Sequence, residues 1–210
     1  MNAAPLLDWT AIAAVLSASA IGVAIPGANF VAITNKALGA SRREAVGMSC
    51  GVALVNCLWA IVGIVGAGAL LARHPWLGVW LRLLGSAYLL WFGSRLLMRA
   101  AMLPPAPVSD AGGSQAAAFR QGVALNIVNP KSLMYYCAFL SNVAPASASG
   151  ATITAMVFTV GACAVVWYSS LGWLLSFPQV SSRFRRSLPR VNRICGVLLI
   201  VLALFEILAR

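Results

Sequence analysis

Three stretches of this chain run without a charged residue for at least the length of a bilayer crossing: Trp9 to Asn35, Ala45 to Ala72 and Ser132 to Ser182. A helix spans the hydrocarbon core with about 20 predominantly apolar residues. Each of the first two runs can therefore cross once, and the third can cross twice. Only 9% of the 210 residues are charged and 61% are hydrophobic, where a soluble globular domain carries roughly a quarter charged. The formal charge of +11, from fifteen Lys plus Arg against four Asp plus Glu, would by itself point to an acidic partner. A nucleic-acid binder, however, spreads its basic groups over one solvated face, and here they form small clusters between apolar blocks. The pattern excludes nucleic acid as a partner and specifies an all-α integral membrane protein whose surroundings are the lipid bilayer.

Two further apolar segments complete the set: Leu77 to Leu97, with Arg82 near its start and Arg95 near its end, and Val191 to Ala209, with Glu206 near its end. The longest run is divided by Ala144-Pro145-Ala146-Ser147-Ala148-Ser149-Gly150, a turn-forming stretch that returns the chain to the membrane. The expectation is six transmembrane helices, roughly at 9–34, 45–71, 77–98, 120–143, 150–177 and 191–209. Ser17-Ala18-Ser19-Ala20 resembles a signal cleavage site, but Asp8 precedes it in place of a basic residue and the apolar run continues past it. The segment is read as a retained span.

Orientation follows from the basic residues. With the N-terminus outside, Lys36, Arg42, Arg43, Arg95, Arg99, Arg120, Arg183, Arg185, Arg186, Arg190 and Arg193 fall on the cytoplasmic side, and only Arg73, Arg82 and Arg210 outside. The positive-inside bias selects both termini outside, with Trp9, Trp76 and Trp80 near the outer interface. One cation, Lys131, is left within a span.

Met102 to Ala118, with Pro104-Pro105-Ala106-Pro107 and Gly112-Gly113-Ser114, has the composition of a flexible linker. It divides the chain into a first three-helix repeat (1–100), a cytoplasmic linker (101–118) and a second three-helix repeat (119–210). Because three is odd, the second half enters the membrane inverted. Two correspondences support such a repeat. Ile25-Pro26-Gly27-Ala28-Asn29-Phe30 interrupts the first span, and Asn126-Ile127-Val128-Asn129-Pro130-Lys131-Ser132 interrupts the fourth. Arg82-Leu83-Leu84-Gly85 and Arg193-Ile194-Cys195-Gly196 stand near the starts of the third and sixth. Paired interrupted helices in inverted halves point to a binding site near the midplane.

Proline removes a donor and frees the carbonyl one turn earlier, while glycine lets the chain leave helical geometry. Unpaired backbone groups are tolerated at this depth only where they are buried or line a cavity. Lys131 costs about 2.5–3.5 kcal/mol at a span centre on insertion scales and needs a cavity or a partner. Two roles are open to it. It can anchor a substrate carboxylate, with Asn29, Asn126 and Asn129 offering amide donors and acceptors. It can instead bond the carbonyls freed by the breaks and brace the two halves. The candidate substrate-binding residues are Lys131, Asn129, Pro130, Asn126, Pro26, Gly27, Asn29 and Asn56, although a buried Asn56 can equally tie helices together.

Several strings together resemble a known family: Pro26-Gly27-Ala28-Asn29-Phe30; Gly39-Ala40-Ser41-Arg42-Arg43-Glu44-Ala45-Val46-Gly47; Leu83-Leu84-Gly85-Ser86-Ala87-Tyr88-Leu89-Leu90-Trp91-Phe92-Gly93; Phe119-Arg120-Gln121-Gly122 followed by Asn126-Ile127-Val128-Asn129-Pro130-Lys131; and Val191-Asn192-Arg193-Ile194-Cys195-Gly196. Over nearly its whole length the chain resembles the lysine-exporter superfamily, LysE/RhtB type, whose members are bacterial amino-acid exporters. The resemblance implies six helices in two inverted halves and export of amino acids or close derivatives across the inner membrane, driven by the proton gradient. Two positions depart from the family. Its first break is commonly Pro-Gly-Pro where this chain has Ala28, and many relatives carry Asp or His where Asn56 stands.

No carboxylate lies deep in a span: Asp8 and Glu206 are near the outer surface, Glu44 at the inner one and Asp110 in the linker. Proton coupling therefore falls to a boundary group such as Glu44 or works differently. A cationic substrate finds no charge complement, which favours a neutral or apolar zwitterion. Cys50, Cys57, Cys137, Cys163 and Cys195 form no Cys-x-x-Cys and read as apolar fillers. With His74 in an outer loop, no metal or cofactor is expected. Ser49 has no histidine within a span to act as its base, so an intramembrane hydrolase is not supported. The reading is an amino-acid exporter working by alternating access, with an exporter of another small solute as the alternative. Six lipid-facing helices also leave a homo-oligomer open.

Overall fold

The computed structural model describes residues 7–39, 42–67, 73–99, 113–143, 145, 148–175 and 177–208. Among them are eight α-helices and no strand: α1 Trp9–Ala24, α2 Ala28–Gly39, α3 Arg42–Ile61, α4 Pro75–Arg99, α5 Gln115–Ile127, α6 Pro130–Val143, α7 Gly150–Leu175 and α8 Pro178–Leu208. A short π-helical turn, Val62–Ala67, extends α3. Most of the linker and parts of the loops around residues 40, 70 and 145 lie outside the described residues. Arg42–Ile64, Gly150–Leu175 and Gln179–Phe205 are each long and apolar enough to cross a membrane. Trp9–Ala24 with Ala28–Leu38 makes a fourth such span if its 61° bend is counted as one broken helix.

Two of the apolar segments read from the sequence, the first and the fourth, are each divided into two helices. The first breaks because Ile25 precedes a proline, which disfavours helical geometry. Its φ and ψ of −68° and 117° are extended, although its N–H still closes the last turn onto Ile21 O. The fourth breaks at Val128 and Asn129, and Pro130 opens the next helix, where a missing N–H costs nothing. Asp8 caps α1 by accepting from Ala11 N at 3.0 Å, and Ser114 caps α5 by accepting from Ala117 N at 3.1 Å. The last helix corrects the expected start at 191. It begins at Pro178 and runs on through Pro189, because hydropathy marks where the apolar section begins and not where helical geometry does.

Helix α3 packs closely on both α5 and α7. A Cβ at Gly51 would strike the carbonyl oxygen of Phe119, and one at Gly122 that of Met48. The α3 and α5 backbones thus touch, as small residues allow in membrane bundles. Helices α4 and α8 form a second close pair, in which Gly93 and Gly196 each lie against the other's carbonyl oxygen. One core gathers Val23, Phe30, Ile33, Met48, Val52 and Tyr168. Another gathers Val15, Ala60, Tyr136, Leu140, Met156 and Val160. The outer surface stays apolar, with Phe158, Val166, Phe205 and Leu208 each at least 65% exposed. Such a surface would drive a soluble protein to aggregate and suits a bilayer.

The basic ends of several helices meet at one face. Lys36 of α2 pairs with Glu44 of α3 at 3.2 Å, Gly113 packs against that carboxylate, and the Arg42 guanidinium sits 4.6 Å over the Phe177 ring. At the opposite end Asp8 N donates to Thr152 Oγ1 at 3.1 Å, joining the starts of α1 and α7.

Candidate functional site

The two breaks meet in the interior, and in each a proline removes the donor for the carbonyl four residues earlier. Gly22 O would accept from residue 26, which is Pro26 and has no N–H. Lys131 Nζ takes that place, donating to Gly22 O at 3.1 Å and to Ile25 O at 2.6 Å. In the second break Asn126 O would accept from residue 130, which is Pro130. It receives instead the Asn129 N–H at 3.2 Å and, more weakly, Trp59 Nε1 at 3.5 Å. Each break is thus completed by a side chain from the other half of the chain.

A chain of amides links the two. Asn129 Nδ2 donates to Asn29 Oδ1 at 3.1 Å. Asn29 Nδ2 donates to Asn126 Oδ1 at 2.9 Å, with Ser132 Oγ at 3.4 Å. Asn126 Nδ2 donates to Asn56 Oδ1 and to Val52 O, both at 2.8 Å. Asn129 Oδ1 also accepts from the Lys131 N–H at 3.1 Å, capping α6. All four asparagines are at most 4% exposed and Lys131 is 9% exposed. A buried amide without partners is costly, so a connected set of this kind holds one geometry and rearranges as a unit.

All eight candidate residues come together. Pro26, Gly27 and Asn29 stand at the first break, Asn126, Asn129, Pro130 and Lys131 at the second, and Asn56 reaches in from α3. Of the two roles open to Lys131, the bracing contact is the one present. Three neighbours were not singled out from the sequence. Tyr135 donates to Ala18 O at 2.5 Å, Trp59 reaches Asn126 O, and Tyr168 lines the same cavity. Tyr135 follows Lys131 by four residues and Trp59 follows Asn56 by three, spacings that share a helix face and could have found both. Tyr168 carries no such signal. Of the boundary acids, Glu44 is buried against Lys36 and Asp8 is a helix cap. Among the described residues no group of three His, Cys, Asp or Glu could hold a metal ion.

The space enclosed is small. The cavity between Gly22, Gly27, Asn29, Asn56, Lys131 and the three tyrosines measures about 20 Å3, room for about one water molecule. In this conformation the junction is closed.

Comparison with known proteins gives the following. Residues 20–209 match the family described as LysE type translocator. The chain is 26% identical over 198 residues to the threonine efflux protein of Escherichia coli (strain K12), covering 88% of this chain and 91% of that one. It is 32% identical over 198 residues to the chemotactic transduction protein ChpE of Pseudomonas aeruginosa, covering 91% and 94%. It is 23% identical over 183 residues to the leucine efflux protein of an Enterobacter species (strain 638), covering 85% and 86%. No solved structure matches.

Proposed function

The chain belongs to the LysE type translocator family, and from that premise we propose that it exports neutral or apolar amino acids across the bacterial inner membrane by alternating access. The six segments form two inverted halves with both termini outside, and the halves rock about the junction of the two broken helices. The basic face carrying Lys36, Arg42 and Arg43 is cytoplasmic. Relatives named as threonine and leucine efflux proteins support the substrate class, and the absence of a carboxylate beside Lys131 among the described residues of the junction cavity supports a substrate without a cationic side chain.

The observation that carries the mechanism is the placement of Lys131 Nζ on the carbonyl that Pro26 frees. A substrate carboxylate is a stronger partner for an ammonium than a neutral carbonyl. When it takes Lys131, Gly22 O and Ile25 O are released and become acceptors for the substrate's own ammonium. One exchange thus serves both charges of a zwitterion and loosens the brace between the halves. Asn29, Asn56, Asn126 and Asn129 re-pair around the ligand.

Counterflow in proteoliposomes tests this reading. Vesicles loaded with unlabelled threonine or leucine should accumulate the same labelled amino acid, while lysine and glutamate should not exchange. Failure of every amino acid in such a panel would remove the exporter assignment. Exchange of some other small solute in their place would favour the second reading, an exporter of different cargo on the same scaffold; the name of the 32% identical relative specifies no amino acid. An imposed pH gradient that drives net uptake would establish proton coupling.

A further inference from the structure

A second cavity, of about 500 Å3 and open on the side where Trp91 and Val128 are exposed, lies on the other side of Asn129. It runs between α2, α4 and α5 from the level of the breaks, where Ala28 and Asn129 line it, toward the basic face, where Asn35 and Arg95 do. Its α4 wall is aromatic: Tyr88 lies 5.7 Å from Trp91 and 5.9 Å from Phe92 between ring centres. The Arg95 guanidinium sits 5.4 Å over the Trp91 ring. Leu125 of α5 also lines the space, and among the described residues no carboxylate does. Asn129 borders both this cavity and the closed junction.

We propose that this cavity is a loading site for a zwitterionic amino acid with an apolar side chain, occupied before the ligand reaches Lys131. The inference rests on the exporter reading and adds a site to it. The junction admits about one water, whereas 500 Å3 lies within the usual range of small-molecule pockets, about 300–1,000 Å3. A guanidinium presents a planar fork that matches a carboxylate bidentately. A cation–π contact with the Trp91 indole holds the guanidinium at the cavity wall without using its donors. A carboxylate on Arg95 leaves the ligand's side chain against Trp91, Phe92 and Tyr88. Its ammonium then falls at the same end of the cavity, beside Asn35. Asn129, at the other end of the cavity, is bonded to Asn29 and to the Lys131 backbone, so a ligand that moves along the cavity and draws on its amide disturbs the network that keeps the junction shut. The site is therefore placed to couple loading to opening.

Arg95 also counts toward the positive-inside bias, and an anionic lipid headgroup could occupy the same fork, so the test separates these roles. Saturable binding of tritiated leucine is measured on the purified protein in nanodiscs. Arg95→Gln should weaken it by about tenfold to a hundredfold, the loss of a charged hydrogen bond. Arg95→Lys, which keeps the charge and loses the fork, should recover only part of it. Leu125→Trp, which fills the cavity from α5 and retains every charge, should remove saturable binding and carries the test if Arg95→Gln does not fold. Unchanged leucine affinity in the folded variants overturns the proposal. If the wild type still exchanges leucine in proteoliposomes, the exporter reading survives that outcome. No saturable leucine binding by the wild type overturns the proposal whatever the protein exports. Loss of retained phosphatidylglycerol in Arg95→Gln with leucine binding intact assigns the cavity to lipid and overturns it as well.

Discussion

The break at residues 25–27 and the break at 128–129 are made by the same device and completed by different chemistry. In each a proline removes the donor for the carbonyl four residues earlier, Gly22 O in one case and Asn126 O in the other. The first carbonyl receives a buried ammonium from the opposite half, together with its neighbour Ile25 O. The second receives a local N–H and a long contact from the Trp59 indole. Two such halves would be equivalent if only backbone satisfaction mattered. The difference shows that a neutral donor is enough to close a break of this kind. A lysine, with the insertion cost its charge carries, is more than closure needs. In the proposed exchange, its placement makes the first break the one that an anion opens.

The largest effect that would break this comparison comes from Lys131→Met. The substitution keeps the length of the side chain and its packing under Gly27 while removing the donor. Gly22 O and Ile25 O then lose a partner, at about 1–3 kcal/mol for each buried unsatisfied group, offset in part because a charge is no longer buried. The protein should remain monodisperse on size exclusion, while counterflow falls by about tenfold to a hundredfold, the value of a charged hydrogen bond to the substrate. Transport at the wild-type rate would reduce Lys131 to a brace and make the two breaks functionally alike.

Much of this junction was legible before any coordinates. The first break shows as Pro and Gly inside an uncharged run, the second as Asn and Pro inside the apolar segment after Arg120, and Lys131 stands out as the cation that topology does not use. The pairing within the junction was not legible. Asn29 to Asn126 spans 97 residues and Asn126 to Asn56 spans 70, and periodicity along one helix says nothing about which amide on another helix will face it. Hydropathy also misplaced the start of the last helix. Its first turns are basic and polar, and a proline at its N-terminus begins a helix as readily as one elsewhere ends it. The wide cavity left no trace in the sequence, because Tyr88, Trp91 and Phe92 read equally well as lipid-facing aromatics.

Trp59→Phe is the matching change at the second break and should have a much smaller effect. It keeps the aromatic volume and removes an N–H that reaches Asn126 O only at 3.5 Å, while the Asn129 N–H remains at 3.2 Å. The cost should stay under about 1 kcal/mol, read as a fall of no more than about 4 °C in the thermal midpoint, with counterflow within about twofold of wild type. A transport loss as deep as that of Lys131→Met would mean that the indole serves the substrate and that the asymmetry between the breaks has been drawn in the wrong place.

The smallest expected effect sharpens the comparison from the other side. Ala28 is the first residue of α2, a position where the backbone N–H has no intrahelical acceptor and a proline's fixed φ already suits the helix. Gly27 before it has no Cβ to clash with the proline ring, which relaxes the usual restriction on a residue preceding proline. Ala28→Pro should therefore be neutral or stabilising by about 0.4–1 kcal/mol through the unfolded chain. The corresponding readout is a rise of a few degrees at most in the thermal midpoint. Because residue 28 also lines the wide cavity, leucine binding there should change by less than about twofold if the ring only trims its floor. A clear drop in stability would instead show that the Ala28 N–H has an acceptor in the junction. The first break would then be held at two points, and Lys131 alone could not release it.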